Sequence, residues 1–201
     1  MISGYGEVMR DIPGENTPEN VHIIIDETKR LTKLVNDMLD LSKLQAGVQE
    51  LHAVSMNLTD EIRSIIERYE TLLKQDEYDI RFEYREDVII QGDVIKLDQV
   101  IYNLINNAKK FTVQGSITLG YRVDESGYTT VFVEDTGAGI SDEDQKHIFE
   151  RFYKADSFTQ GAGLGLSICQ TIVERIHGTI TVTSKPGRGT RFEVRMSDDV
   201  I

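Results

Sequence analysis

Between Thr17 and Gly47 the chain reads TPENVHIIIDETKRLTKLVNDMLDLSKLQAG, and this stretch limits the possible folds more than any other. Leu31, Leu34, Met38 and Leu41 step by 3, 4 and 3 positions. That is a bundle or coiled-coil seam, and no strand can make it, because strand faces alternate every second residue. Val35 and Leu39 widen the stripe to what a bundle helix presents. Thr17 suits an N-cap, Pro18 the first helical position and Glu19 the first turn, while Gly47 suits the residue that ends a helix. The preceding MISGYGEVMR has moderate helical character and ends at the Pro-Gly turn of DIPGE. Residues 1–46 therefore read as a helical hairpin with a short first arm. That arm cannot cover the whole second helix, so a partner is expected on the remainder.

From about residue 52 the pattern changes. A short strand near 53–56 leads into a helix at about 58–75, followed by strands at YDIRFEY and DVIIQGD and a helix over roughly 93–111. SITLGYRVDE and YTTVFVEDT alternate around Ser126-Gly127 and form a hairpin. A loop-rich stretch reaches Gly163, a helix runs to about His177, and GTITVTS with GTRFEVRM closes the chain as another hairpin. Strands in antiparallel pairs with helices between them predict an α+β fold, a two-layer α/β sandwich, behind the hairpin. The boundary falls near residue 50, giving domains 1–50 and 51–201.

Charge and cysteine content narrow the function. The net charge is −12, from 34 acids and 22 bases. No basic stripe supplies phosphate contacts, so nucleic acid is not the expected partner. The single Cys169 excludes an intrachain disulfide, fits a reducing cytosol and, in LSICQTIV, reads as an inert core thiol. No run of 18 apolar residues is long enough to span a membrane. MISGYGEVMR lacks the apolar core of a signal peptide.

Three stretches carry chemistry. In NLINNAKKFT, Asn103, Asn106, Asn107 and Lys110 share one helix face, while Leu97, Ile101, Leu104, Ala108 and Phe111 point elsewhere. Asparagine is a poor helix former, since its amide competes for backbone hydrogen bonds. The face is therefore either solvated or a wall of oxygen ligands and amide donors for an ion or phosphate. In VEDTGAGI, Asp135 ends a strand before Gly137 and Gly139, which suits either a plain turn or an acceptor for a base edge with close backbone approach. In GAGLGLSI, Gly161, Gly163 and Gly165 open a helix, so free amides and the helix dipole favour an anion. The spacing is neither a Rossmann fingerprint nor a Walker loop.

Taken in order, DQVIYNLINNAKKFT, VEDTGAGI, IFERFYKA and GAGLGLSI resemble the N, first glycine, F and second glycine boxes of sensor histidine kinases. These kinases belong with gyrase and the heat-shock chaperones in one ATPase superfamily. SKPGRGTRFEV extends the likeness forwards. RLTKLVNDMLDLSKLQAG extends it backwards, resembling the second helix of the dimerisation and histidine-phosphotransfer hairpin. The resemblance implies a Bergerat-type ATP-binding sandwich, ATP and Mg²⁺ as ligands, a response regulator receiver domain as partner, and a homodimer through the hairpin. It also implies the cytosolic portion of a kinase that can be membrane-anchored upstream, with no membrane contact by this chain.

By the same resemblance Asn107 holds Mg²⁺ with Asn103 in support, and Lys110 reaches the phosphates. Asp135 accepts from the adenine amine, and Gly137, Gly139 and Ile140 lie against the base. Phe149, Phe152 and Tyr153 pack the base of a mobile lid, FYKADSFTQ, in which Lys154 is a second phosphate ligand. Gly161, Gly163, Leu164, Gly165 and Leu166 form hinge and cradle, and Thr190 completes the site. The family phosphorylates a histidine on the first hairpin helix, in a setting like His-Glu-Leu-Arg-Thr-Pro. That segment is absent, and the chain is expected to begin immediately after it. His22, His52, His147 and His177 read as structural. The lid is short, with eight residues between Phe152 and Gly161. The expected activity is transfer of the ATP γ-phosphoryl group to a histidine outside this chain and onward to a regulator aspartate. The alternative is a nucleotide-sensing interaction module without phosphotransfer.

Overall fold

A computed structural model of the chain describes residues 2–48, 50–73, 78–155 and 161–197, with the backbone alone at 69–73 and 78. Helix α1 (Ile2–Asp11) and helix α2 (Pro18–Gln45) form the hairpin, joined through Gly14 at positive φ. The α2 start is capped as its sequence requires: Thr17 is extended and its hydroxyl accepts the Asn20 N–H at 3.2 Å. Gly47 follows the C-cap Ala46 at φ 67°.

The rest of the chain forms β1 (Val54–Asn57), α3 (Leu58–Leu73), β2 (Tyr78–Glu83), β3 (Ile89–Gly92), α4 (Val94–Phe111), β4 (Gly115–Val123), β5 (Tyr128–Asp135), α5 (Gly165–Arg175), β6 (Thr179–Ser184) and β7 (Thr190–Ser197). A single 3₁₀ turn lies at Asp144–Lys146. Strands β1 and β3 pair as a small antiparallel sheet, and the main sheet runs β2-β4-β5-β7-β6. Both predicted hairpins form, as β4–β5 and β6–β7. The expectation of antiparallel pairs throughout fails at β2, which pairs with β4 in parallel from Tyr78↔Gly115 to Glu83↔Gly120. The reason is the connection: α4 lies between these strands and returns the chain to the same end of the sheet, as a parallel pair demands.

Period-2 alternation gives the sheet two unlike faces. Ile117, Leu119 and Tyr121 of β4, Val131 and Val133 of β5, and Phe192 and Val194 of β7 are buried with Ile62 and Ile65 of α3, Leu104 of α4 and Ile172 of α5 in one core. The opposite face is polar. There Arg191 bridges Glu134 and Glu193, Arg122 reaches Glu193 at 3.0 Å, and the Arg191 guanidinium lies 3.8 Å from the centre of the Phe132 ring.

Cys169 is fully buried and its thiol is pushed up to about 12 by desolvation, so it is the inert core residue its sequence setting indicates. No described helix is long and apolar enough to cross a membrane.

Candidate functional site: one end of the sheet and the polar face of α4

The site begins with strand register. Asp135 pairs with Ile117 on one side and Thr190 on the other, and Thr190 pairs with Ser184. These positions share the helix-covered face at one end of the sheet. Strand alternation therefore places a carboxylate and two hydroxyls where β5 stops. Asp135 is 5% exposed. Burial, the largest effect, raises its pKa, while the Gly137 N–H at 2.8 Å and the Thr190 backbone N–H hold it down. The Thr112 hydroxyl is close enough to favour the carboxylate slightly, yet Thr112 Oγ1 is buried with no partner in hydrogen-bond geometry. An accepting carboxylate beside an unsatisfied hydroxyl, walled in by protein, fits a ligand edge that offers both a donor and an acceptor.

The VEDTGAGI turn is held as closely as its glycines require. Gly139 has φ 71°, and a Cβ there would lie 2.0 Å from the Lys185 carbonyl oxygen. Its neighbour Ile140 donates its N–H to Ser184 Oγ at 2.8 Å, and Ser184 Oγ donates to the Gly189 carbonyl at 2.7 Å. Gln145 Nε2 bridges the Ile140 and Ser184 carbonyls. Ser184 and Gln145 escaped the sequence reading. The pairing of Ser184 with Thr190 across the last hairpin was the available signal for Ser184; Gln145, in an irregular loop, carried none.

Helix α4 supplies the second wall. Asp93 caps it, accepting the Lys96 N–H at 3.1 Å. Leu97, Ile101, Leu104 and Ala108 are buried, which turns Asn103, Asn106, Asn107 and Lys110 away from the core. Phe111 is 45% exposed. The Phe111 carbonyl accepts the Ala138 N–H at 3.1 Å, and Gly137 stands against it.

Two members of the asparagine face, Asn103 and Lys110, meet the second glycine stretch. Asn103 Nδ2 donates to the Gly165 carbonyl at 3.5 Å, and a Cβ at Gly161 would lie 3.4 Å from Lys110 Nζ. Leu164 anchors the start of α5 in the core, Leu166 packs against it, and Gly165 is the first residue of that helix. The Lys110 pKa is lowered, first by desolvation and then by the nearby positive charge of Lys154. Two lysines that repel each other beside a glycine-rich helix start suit an anion of several charges.

Between these walls lies the base of the predicted lid. Tyr153 donates its hydroxyl to Asp144 Oδ1 at 2.7 Å, Ser141 Oγ donates to Asp144 Oδ2 at 2.5 Å, and the Phe149 ring meets Phe192 edge-on. Phe152 does not pack the base as expected. It is 53% exposed, and its backbone sits at φ 64° with its N–H donating to the Gly163 carbonyl at 2.9 Å. A left-handed phenylalanine is strained backbone, held by the glycine turn facing it. A Cβ at Gly163 would come within 2.7 Å of Phe152 C and Tyr153 O. Residues 156–160 of the lid lie outside the described residues.

Of the histidines, His147 borders the lid base, its ring centre 5.5 Å from that of Tyr153, and the others are held elsewhere. His22 Nδ1 meets the Pro18 carbonyl at 3.2 Å on α2, and His52 is tied through its backbone. His147 is paired with Glu150 at 2.8 Å, and that hydrogen bond is the largest cause of its raised pKa. His177 ends α5 at φ 53°.

The chain is similar to known proteins over nearly its whole length. Residues 92–200 match the histidine kinase-, DNA gyrase B- and HSP90-like ATPases, and residues 1–47 match the His Kinase A (phospho-acceptor) domain. The chain is 34% identical to the sensor histidine kinase YclK of Bacillus subtilis over 194 residues, 92% of this chain and 40% of that protein. It thus spans well under half the length of the curated relatives it matches. Among solved structures, full-length ShkA in complex with AMPPNP superposes with a TM-score of 0.80 at 27% identity, over 90% of this chain and 39% of that one. Histidine kinase ThkA in complex with the response regulator TrrA superposes with a TM-score of 0.79 at 28% identity, over 97% of this chain and 56% of that one. The chain belongs to the histidine kinase-, DNA gyrase B- and HSP90-like ATPases, as a catalytic region of the two-component sensor histidine kinase type.

Proposed function

We propose that the chain binds Mg-ATP and transfers its γ-phosphoryl group to a histidine outside residues 1–201, from which the group passes to an aspartate of a response regulator. The observation that carries this reading is the two-ended site. A buried, walled-in carboxylate at Asp135 stands at one end, and Lys110 and Lys154 converge beside the second glycine stretch at the other. Asp135 accepts from the adenine amine, with Thr190 and Ile140 beside the base. Gly137 and Gly139 leave the backbone free to lie against it. Asn107 offers a neutral amide oxygen, the kind of hard ligand suited to Mg²⁺, which keeps most of its waters and needs few protein groups. When bound, Mg²⁺ supplies charge neutralisation between the phosphates.

Asn103 supports Asn107 from one turn below and, through Gly165, ties α4 to the start of α5. Lys110 and Lys154 hold the phosphate oxygens, while Gly161, Gly163, Leu164, Gly165 and Leu166 shape the cradle. Tyr153 through its hydroxyl, and Phe152 through its backbone alone, anchor the lid. In the transfer the bond from the γ-phosphorus to the oxygen it shares with the β-phosphorus breaks, leaving ADP. A phosphorus–nitrogen bond forms at the acceptor imidazole, and the displaced proton goes to solvent. The protein's contribution is positioning and charge stabilisation. The AMPPNP bound to ShkA and the regulator bound to ThkA support both halves of this reading.

The test combines the chain with radiolabelled ATP and a separately supplied helical hairpin that contains the acceptor-histidine segment. The expected result is acid-labile, base-stable label on the hairpin, at a rate that rises with hairpin concentration because covalent linkage is missing. The chain alone stays unlabelled, since its only histidine within the phospho-acceptor match is His22, bonded to its own helix backbone. Tight ATP binding with no label on a folded hairpin would instead establish the sensing module.

A further inference from the structure

The linker between the hairpin and the ATP-binding part is tied at both of its ends, each time to a helix of the nucleotide site. At its start, the Leu44 carbonyl near the end of α2 accepts from Arg175 Nη1 at 3.2 Å. Arg175 is the last residue of α5, whose first residue is Gly165 of the glycine cradle. At its finish, the His52 N–H is accepted by Asp93 Oδ2 at 3.0 Å. Asp93 is the N-cap of α4, the helix that carries Asn103, Asn107 and Lys110 toward its other end.

The two ties sit at the ends of these helices remote from the glycines and asparagines. Helix α4 is about 27 Å long and α5 about 16 Å at the usual rise per residue. Each helix is stiff along its own length, so a small tilt at the nucleotide end is carried to the far end. Leu41 and Leu44, the only buried residues of α2, join the hydrophobic core. Between the ties, Val48, Glu50 and His52 of the linker and Asp93, Ile95 and Lys96 of the first turn of α4 line a cleft of about 360 Å³. The Asp93 carboxylate bridges that cleft with one oxygen while its other oxygen caps the helix.

Resting on the nucleotide reading above, we propose that Asp93 and Arg175 form a clasp through which nucleotide occupancy is felt at the hairpin linker. A nucleotide held between α4 and α5 fixes their mutual position, and with it the separation of Asp93 and Arg175. The linker that spans these two residues is then held taut or released according to occupancy. By linkage, hairpin movement that opens the clasp alters nucleotide affinity by the same factor. Asp93 is a positioning residue, acting through α4 rather than on the ligand.

The chemistry of the carboxylate makes this testable with single substitutions. Asp93→Asn keeps one acceptor for the Lys96 N–H and turns a donor toward the His52 N–H, so the cap survives and the tie is lost. Asp93→Ser, also a good cap, serves if the amide variant folds poorly. Residue-resolved amide exchange is measured on the 201-residue chain with and without ADP, with ADP affinity followed by calorimetry. In the wild type, ADP is expected to slow exchange of the His52 amide by about threefold or more. In Asp93→Asn that amide exchanges about tenfold faster and no longer responds to ADP. Protection at Lys96 stays within about twofold, while the affinity for ADP falls by about threefold, the same factor by which ADP slowed His52 exchange in the wild type. ADP that binds without changing His52 exchange in the wild type overturns the clasp. So does an ADP response at His52 that persists in Asp93→Asn. Absence of ADP binding to the wild type overturns the nucleotide reading itself, a result distinct from either.

Discussion

Helices α2 and α4 are both long and amphipathic, and they meet opposite fates. The 18 residues of α4 bury Leu97, Val100, Ile101, Leu104, Ile105 and Ala108 beneath the main sheet and α5. The 28 residues of α2 bury only Leu41 and Leu44, while Leu31, Val35, Met38 and Leu39 remain 44–52% exposed. A helix-length pattern reports that an apolar face exists; it does not report whether the same chain supplies the cover. The rest of the chain, joined by Leu41 and Leu44 of α2, covers the apolar face of α4, while the apolar face of α2 along Leu31, Val35, Met38 and Leu39 stays open.

The largest effect that could break this contrast comes from truncating one residue on each helix. Leu104 is 1% exposed and Leu104→Ala should cost about 2–5 kcal/mol, the sum of lost transfer energy and a residual cavity. Val35→Ala should stay within about 0.5 kcal/mol at low protein concentration, where nothing covers it. Denaturant titrations of the two variants over a range of concentrations decide the matter. If Val35→Ala is as damaging as Leu104→Ala in dilute solution, α2 is covered within one chain and the contrast fails. A Val35→Ala effect that grows with concentration sharpens it, because association then supplies the cover.

The next effect lies where α4 ends against Asp135. Its carboxyl is raised by burial, so the folded state holds that proton to higher pH than the unfolded chain does. Stability therefore falls as pH rises from the ordinary aspartate value through the raised one, and the deficit persists above it. Asp135→Asn removes that deficit, so its melting temperature should overtake the wild type as pH rises through this window. The same change should weaken ADP binding by about 1–3 kcal/mol, since an amide donor now faces the adenine amine. Thermal scans and calorimetry check both signs. A variant with unchanged ADP affinity would remove Asp135 from the site.

Much of this was legible in the sequence, and what was not has identifiable causes. The Thr17 and Gly47 ends of α2 were readable because capping is local chemistry. The two hairpins were readable because alternation and turn residues fall together. Asp135, Thr190 and the glycines were named from ordered motifs, and strand register brings Asp135 and Thr190 side by side. The parallel β2–β4 pairing was hidden, because which strands become neighbours depends on where α4 packs, and no short window contains that. Phe152 misled for a related reason: it sits where the chain meets a glycine turn, and there the backbone, rather than the ring, makes the contact. Residue type predicts burial well inside a periodic element and poorly at its end. Asp93 illustrates the limit from the other side: its cap to Lys96 is local and legible, while its second hydrogen bond reaches back 41 residues to His52.

The smallest effect on stability, and the sharpest on function, concerns the polar face of α4 itself. Asn107 is half-buried and outside the hydrophobic core, so Asn107→Ala removes no core packing. Alanine is the better helix former, and the exchange should leave stability unchanged or raise it by about 0.5 kcal/mol. A wall residue that costs helix stability is retained for what it faces. If Asn107 is the Mg²⁺ ligand, the variant should bind ATP with no added benefit from Mg²⁺, while its affinity for the adenosine part of the ligand, read with ADP in the absence of metal, stays within about twofold of wild type. Calorimetric titrations of ATP and ADP with and without Mg²⁺ provide the four numbers needed. Loss of fold in Asn107→Ala would place the residue with Leu104 as part of the structure. A Mg²⁺ dependence equal to that of the wild type would leave the asparagine face a solvated one. Only the expected pattern, a stable helix that has lost its response to the metal, divides α4 cleanly into a face that builds the fold and a face that holds the ligand.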